Sequence, residues 1–197
     1  HRSHADNGWN RTGNSTFGTN AVWGLRLTPL PGALDTKATL SGWHICRDTF
    51  AKTWFSGEGA FLYGGRWNSI GTRVVYCGID PSTSILEVAV HKGFATLDTV
   101  PHKLISFVVS DVTKVHVVRP ADVPNPNWLA PGTPSAGQQA FGDALLSDHP
   151  FVLIPSAVSS NSWNLLVNAT TATPLLTDVN IMTLALDTRL HPPVKKP

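Results

Sequence analysis

Charge is scarce in this chain. Only 14% of its 197 residues are Asp, Glu, Lys or Arg, against roughly a quarter in an ordinary soluble protein. The 15 Lys and Arg and 13 Asp and Glu leave a net charge of +2. So weak a field argues against direct nucleic-acid binding through phosphate contacts. No apolar run approaches the ~18 residues that cross a bilayer, so no membrane partner is expected. Cysteine is nearly missing as well: Cys46 and Cys77 stand alone. They are too few for a disulfide framework, form no CxxC metal pair and suit a reducing compartment, with a single bridge left open. There is no GxGxxG, no phosphate-loop lysine motif, no HExxH and no HxH, and the eight His are scattered. Rossmann-type binding, P-loop binding and a zinc centre are thereby disfavoured.

What the chain does contain is enough to build a core. Hydrophobic residues make up 42% and the mean hydropathy is -0.01, which excludes global disorder. Fifteen Pro and 16 Gly cut the sequence into short pieces. Long bundles and coiled coils are disfavoured, and a loop-rich mixed or mostly β domain is expected. Seven Trp supply large rings, for a core in the first instance and for ring stacking in the second.

Residues 1–19, rich in Asn, Gly, Ser and Thr, lack apolar periodicity and read as an extended arm. The sequons at Asn10 and Asn14 follow from that composition. The chain begins at His1, as a processed product or a piece of a longer protein would, and no secretory signal is visible. The organisation expected is an arm over 1–40, one catalytic domain over 41–191 and a Pro-rich tail over 192–197.

Within the domain, 73–79 (RVVYCGI) predicts a buried strand. Asp80 then offers a helix N-cap, Pro81 a first helical residue, and Gly93 a stop after Lys92. On that helix Ile85, Leu86, Ala89 and Val90 share an apolar face, while Ser84, Glu87 and His91 share a polar one. Further strands are predicted over 104–109, 115–118, 151–154, 163–167 and 183–187, with a short helix over 138–146. Five prolines make 120–135 an irregular loop.

The densest chemical cluster is 57–68 (GEGAFLYGGRWN), where four glycines surround Arg66, three aromatic rings and Asn68. An arginine there could grip a phosphate while an aromatic stacks on a base. The alternative is a glycine-rich hairpin with Arg66 lying over Trp67. Glu87 and His91, one turn apart, read either as a solvated pair contributing ~0.3 kcal/mol or as a carboxylate facing a cleft. Ser156, in Pro155-Ser156-Ala157-Val158, is not in a GxSxG elbow. It reads as a turn serine or as a hydrogen-bonding serine at a strand end.

The order of these blocks carries more than any one of them. GEGAFLYGGRWNSIGTRVVYCG, SILEVAVH, QQAFGDALL, VLIPSAVSSNSWNLLVN and LDTRL, in that order over about residues 44–190, resemble the RES domain. That resemblance implies an α+β fold like that of ADP-ribosyltransferases, a split pair of mainly antiparallel sheets with a few short helices. It implies a bacterial toxin acting in the cytoplasm, of its own cell or of a target cell. Its partner would be a helix-turn-helix antitoxin or another immunity protein, and its substrate NAD+, consumed without a metal.

By the same resemblance, Arg47 and Arg66 would hold the dinucleotide, Tyr76 would be a site aromatic, Glu87 the acid and Ser156 the serine. Trp67 and His91 are their neighbours in the matching motifs and complete the expected binding set. The sequence departs from the family pattern at Asp48, at Asn168-Ala169 where Asn-Pro is common, and over 1–40. Cleavage of the nicotinamide–ribose bond passes through an oxocarbenium-like state, which a carboxylate stabilises. Hydrolysis and phosphorolysis fit this set. Transfer of ADP-ribose to a protein is the alternative, and a non-catalytic NAD- or antitoxin-binding module is a second one.

Overall fold

A computed structural model describes residues 39–159 and 161–190. The expected arm, apart from its last two residues, lies outside these, as do the two sequons and the tail. Strand β1 (Leu40–Arg47) opens the described chain. A 3-10 segment (Asp48–Ser56) and helix α1 (Glu58–Tyr63) follow, then β2 (Val74–Gly78), α2 (Pro81–Lys92) and α3 (Phe94–Thr99). Next come β3 (His102–Val109), β4 (Val115–Val117), α4 (Ala136–Asp148), β5 (Phe151–Pro155), β6 (Trp163–Asn168) and β7 (Leu176–Thr183).

The strands form one ladder in the order β4-β5-β6-β2-β1-β3-β7. Only β4–β5 is parallel. The ladder is nearly cut in two. β1 pairs with β3 over its whole length, Leu40↔Val109 to Arg47↔His102, yet meets β2 at the single pair Trp43↔Gly78. Beyond that pair the His44 ring reaches across the gap, Nδ1 lying 2.9 Å from the Tyr76 carbonyl oxygen. The expected split α+β architecture is therefore the one observed.

β5 lies inside one half. Phe151, Val152, Leu153 and Ile154 are all fully buried, and burial of each such side chain is worth roughly 1.5–3 kcal/mol. Alternation sends Phe151, Leu153 and the β6 residues Leu165 and Val167 to one core. Val152, Ile154 and Leu166 go to another, under α4 with Trp67 and Trp128. Trp67, Trp128 and Trp163 are buried, so tryptophan does serve the core. Cys46 and Cys77 are free thiols, which closes the alternative of a bridge.

Helix α2 begins and ends as its sequence dictates. Asp80 accepts from the Thr83 amide at 2.9 Å, Pro81 is the first helical residue, and the chain turns off at Gly93 with φ 76. Its buried side differs from the pattern read above. Leu86 is 41% and Val90 64% exposed, whereas Ser84 is 4% exposed. The near-cut in the sheet is the reason. Where the β1–β2 ladder stops, the Gly78 amide and the Trp43 carbonyl need partners, and the Ser84 hydroxyl serves both, at 3.0 and 2.7 Å. A polar residue is thus required on the buried side of α2.

Two other local readings change, and one strand is new. β1 carries a glycine and several polar residues and so shows no clean alternation, yet it is a full strand. The last strand is Leu176–Thr183 rather than 183–187. It is an edge strand whose side chains are mostly exposed, so ladder bonds to β3 define it and no apolar pattern marks it. Leu184 and Leu186 instead pack against the cluster of Ile45, Ala89 and Leu97. The glycine-rich cluster is not a hairpin throughout: Glu58–Tyr63 is helical, and only Gly65↔Asn68 makes a bridge.

Candidate functional site

Glu87 projects from α2 toward the ends of β5 and β6, and two donors converge on one of its oxygens. Ser156, the residue after β5, donates from Oγ to Glu87 Oε1 at 2.6 Å. Asn164 on β6 donates from Nδ2 to the same oxygen at 2.5 Å. The serine is itself fixed, because its Oγ accepts from the amides of Val158 (3.2 Å) and Ser159 (2.9 Å). With its lone pairs so engaged, its proton points at the carboxylate. The helix is tied to the same loop by Thr83, whose Oγ1 lies 2.5 Å from Ser162 Oγ. Glu87 is half-buried, Ser156 buried. The solvated Glu87–His91 pair does not form, since His91 is exposed near the end of α2 and both Glu87 bonds go elsewhere.

Arg66 comes from the turn after α1. The Gly65 amide donates to the Asn68 carbonyl at 2.9 Å, and the Asn68 side chain donates to the carbonyls of Ala60 (3.0 Å) and Ser69 (2.9 Å). Tyr76 on β2 locks the turn from below. Its Oη accepts from the Trp67 amide at 3.0 Å and donates to Asn68 Oδ1 at 2.8 Å. A Cβ at position 65 would stand 2.5 Å from that hydroxyl, which is why the second glycine is needed. Asp143 on α4 holds the other side, accepting from Ser69 Oγ, from the Ser69 amide and from Thr72 Oγ1 at 2.7 Å. So held, Arg66 extends to the Pro-rich loop, where Nη1 donates to the carbonyls of Trp128 (2.8 Å) and Ala130 (3.3 Å). Arg66 therefore does not lie over Trp67.

Register places the remaining residues. Gly78 faces Asn164 and Tyr76 faces Leu166, so Tyr76 and Asn164 share one face of the sheet. The pair Trp43↔Gly78 carries that face onto β1, where alternation adds Arg47. Arg47 is exposed at the strand end. Tyr76 sits in the fields of both other groups. Burial pushes its phenol well above the ordinary range, the Trp67 amide and Arg66 pull it down, and Asp143 and Glu87 push it up. It stays neutral at physiological pH and acts as a hydrogen-bonding post.

One face of the sheet thus carries Tyr76, Asn164 and Arg47, with Glu87 bonded to Asn164 and Ser156, and with Arg66 and Glu87 both acting on Tyr76. Trp67 is not part of it, being 1% exposed in the core beside Trp128 and Phe141. The described residues contain no group of three or more His, Cys, Asp or Glu placed to hold a metal. A hollow of about 370 Å³ lies elsewhere, lined by Phe61, Arg73, Asp143 and Asn168 among others. None of Glu87, Ser156 and Arg66 lines it. Asn164 and Asp143 were not singled out from the sequence, whereas Asn68 stood in the glycine-rich cluster. Asn164 alone left a signal: a polar residue inside the apolar run 163–167.

Comparison with known proteins bears on the family and the fold. The RES domain profile matches residues 41–189. Toxin Res of Yersinia enterocolitica is 30% identical over 150 residues, covering 74% of this chain and 95% of that protein. Toxin Res of Photorhabdus laumondii is 28% identical over 127 residues, covering 64% and 80%. A Prs ADP-ribosylating toxin of Sphingobium is 31% identical over 138 residues, covering 66% and 83%. Among solved structures, a chain of the M. tuberculosis MbcT-MbcA toxin-antitoxin complex superposes with a TM-score of 0.55 at 22% identity, covering 76% of this chain and 89% of that one. At that identity the likeness concerns the fold.

Proposed function

This chain belongs to the RES domain family, and from that premise we propose that it is a toxin that degrades NAD+ by cleaving the nicotinamide–ribose bond. The observation that carries the reading is the clamp on Glu87. Among the described residues two donors hold Oε1 and none holds Oε2, so the carboxylate is fixed in place with Oε2 left to meet the sugar. In the reaction the C1′–N bond breaks, its electron pair passes to the pyridinium nitrogen, and neutral nicotinamide leaves. Positive charge builds on the ribose, where an ordered carboxylate stabilises it. Water or phosphate then bonds to C1′ and gives up a proton. Both bonds of Arg66 leave from Nη1, which frees the rest of its fork for the pyrophosphate. Arg47 approaches from the β1 side of the split.

Incubating pure protein with NAD+ labelled in the adenylate half, and following free nicotinamide, tests this. Nicotinamide release with the label in a small molecule supports degradation. Label retained on protein supports the second reading, ADP-ribose transfer, which the naming of the Sphingobium relative favours. Neither product would leave a binding module. Expression alone in bacteria should arrest growth as cellular NAD+ falls. Growth arrest with NAD+ unchanged would overturn the depletion reading. An enzyme consuming so central a cofactor in the cytoplasm needs a brake, and a structural neighbour is titled a toxin–antitoxin complex. We infer a protein partner that covers the face carrying Arg66 and Glu87, in keeping with the helix-turn-helix antitoxin or immunity protein expected above. The low charge of the chain favours a mixed apolar and polar interface over a strongly steered one.

A further inference from the structure

β6 runs Trp163, Asn164, Leu165, Leu166, Val167, and every one of these side chains is buried. An amide in such a run is costly unless both its ends are paired. Asn164 pairs only one. Nδ2 donates to Glu87 Oε1 at 2.5 Å, while Oδ1 is buried with no hydrogen-bond partner. Buried side-chain polar atoms without partners are uncommon, and each calls for a physical reason.

The reason lies in the orientation of the amide. Rotated by half a turn, Asn164 would aim Oδ1 at the carboxylate, oxygen against oxygen. The observed orientation satisfies Glu87 and leaves Oδ1 unpaired. A residue kept for packing alone would be apolar here, like its neighbours Leu165 and Leu166. Ser156 cannot hold the carboxylate in place alone, because its hydroxyl supplies one donor to one oxygen. Two donors, one from the residue after β5 and one from β6, converge on Oε1 and fix both the position and the rotation of the carboxylate.

We propose that Asn164 is a positioning residue for Glu87: its Nδ2 and the Ser156 hydroxyl together hold Oε1, turning Oε2 toward the ribose. The proposal rests on the reading of Glu87 as the acid that stabilises the ribose cation. Asn164 touches Glu87 and acts through it. Removing the donor should therefore lower turnover and leave NAD+ binding in place.

The test compares wild type, Asn164→Ala and Asn164→Asp for kcat and KM of nicotinamide release and for NAD+ affinity by calorimetry. Thermal melts check folding. Asn164→Asp keeps the shape and Oδ1 but replaces the donor with an acceptor. A packing role predicts that Asp is milder than Ala. The positioning role predicts the reverse, with kcat down roughly 10- to 100-fold in Ala and further in Asp, KM and affinity staying within about threefold. Should Asn164→Asp not fold, Asn164→Ala decides by the same split. A kcat near wild type in Ala, or a loss confined to KM, overturns the proposal. Active wild type with unaffected variants removes Asn164 alone. Wild type that releases no nicotinamide removes the reading of Glu87, and this proposal with it.

Discussion

Tyr76 and Asn68 are joined by a 2.8 Å hydrogen bond, Oη to Oδ1, which fastens the turn carrying Arg66 to strand β2. The same hydroxyl accepts the Trp67 amide. A ring expected to face the substrate thus spends its polar atom on holding the arginine in place. Tyr76→Phe should strand a backbone donor and a side-chain acceptor, at a cost of about 1–3 kcal/mol. Urea unfolding should show that loss. The KM for NAD+ should rise more than kcat falls, because the turn holding Arg66 loosens. Unchanged stability would mean that the hydroxyl does not fasten the turn.

Glu87→Gln separates charge from architecture. Glutamine keeps an Oε1 that accepts from Ser156 and Asn164, so the β5–α2–β6 junction should survive. The negative charge opposite the forming cation is gone. NAD+ turnover should fall about 100-fold or more, and growth arrest on expression should disappear. Near-normal turnover in the folded variant would remove Glu87 from the chemistry.

Arg66→Lys tests the forked geometry. The guanidinium can donate from Nη1 to the Trp128 and Ala130 carbonyls while its other nitrogens meet an anion. A lysine ammonium is a single point and cannot serve both sides. NAD+ affinity measured by calorimetry should weaken about tenfold despite the retained charge. Equal affinity would show that the arginine only braces the loop.

His44 gives a pH signature. Burial in the seam of the sheet, with Lys92 adding to it, holds its pKa below the ordinary 6.5 in spite of its bond to the Tyr76 carbonyl. The unfolded chain therefore binds this proton more readily than the folded one. Its contribution is complete above the unfolded value and is lost as pH falls below it, by up to about 1.4 kcal/mol per pH unit. His116, stacked on His149, is displaced in the same direction. The reading is therefore the difference between wild type and His44→Gln. Melting temperatures from pH 7 to 5 should drop less steeply in the variant. Parallel curves would show that His44 does not contribute.

Much of this was written in the chain order. The run from Asp80-Pro81 to Gly93 defines α2 because cap, first-turn proline and terminal glycine are local devices. β2 and β5 are likewise legible, since a strand buried on both faces is a plain apolar run. The order of the five blocks was enough to identify the family, because each of them is a stretch of consecutive residues. Edge strand β7 was not legible, because nothing buried distinguishes its two faces. Nor was β1, whose side chains answer to a glycine and to the cut in the sheet.

What remained for the tertiary structure was partnership. Sequence alone left Glu87 and His91 as neighbours on a polar face, and only the fold brings Ser156 and Asn164, 69 and 77 residues away, onto one carboxylate oxygen. It alone buries Ser84 and exposes Val90, because the end of the β1–β2 ladder must be satisfied. It alone puts Trp67 in the core and Arg66 on the Pro-rich loop, though the two are adjacent in sequence. Local propensity acts over a few residues, so it sets the elements. Hydrogen-bond satisfaction and burial act between elements distant in the chain, so they decide which side chains meet.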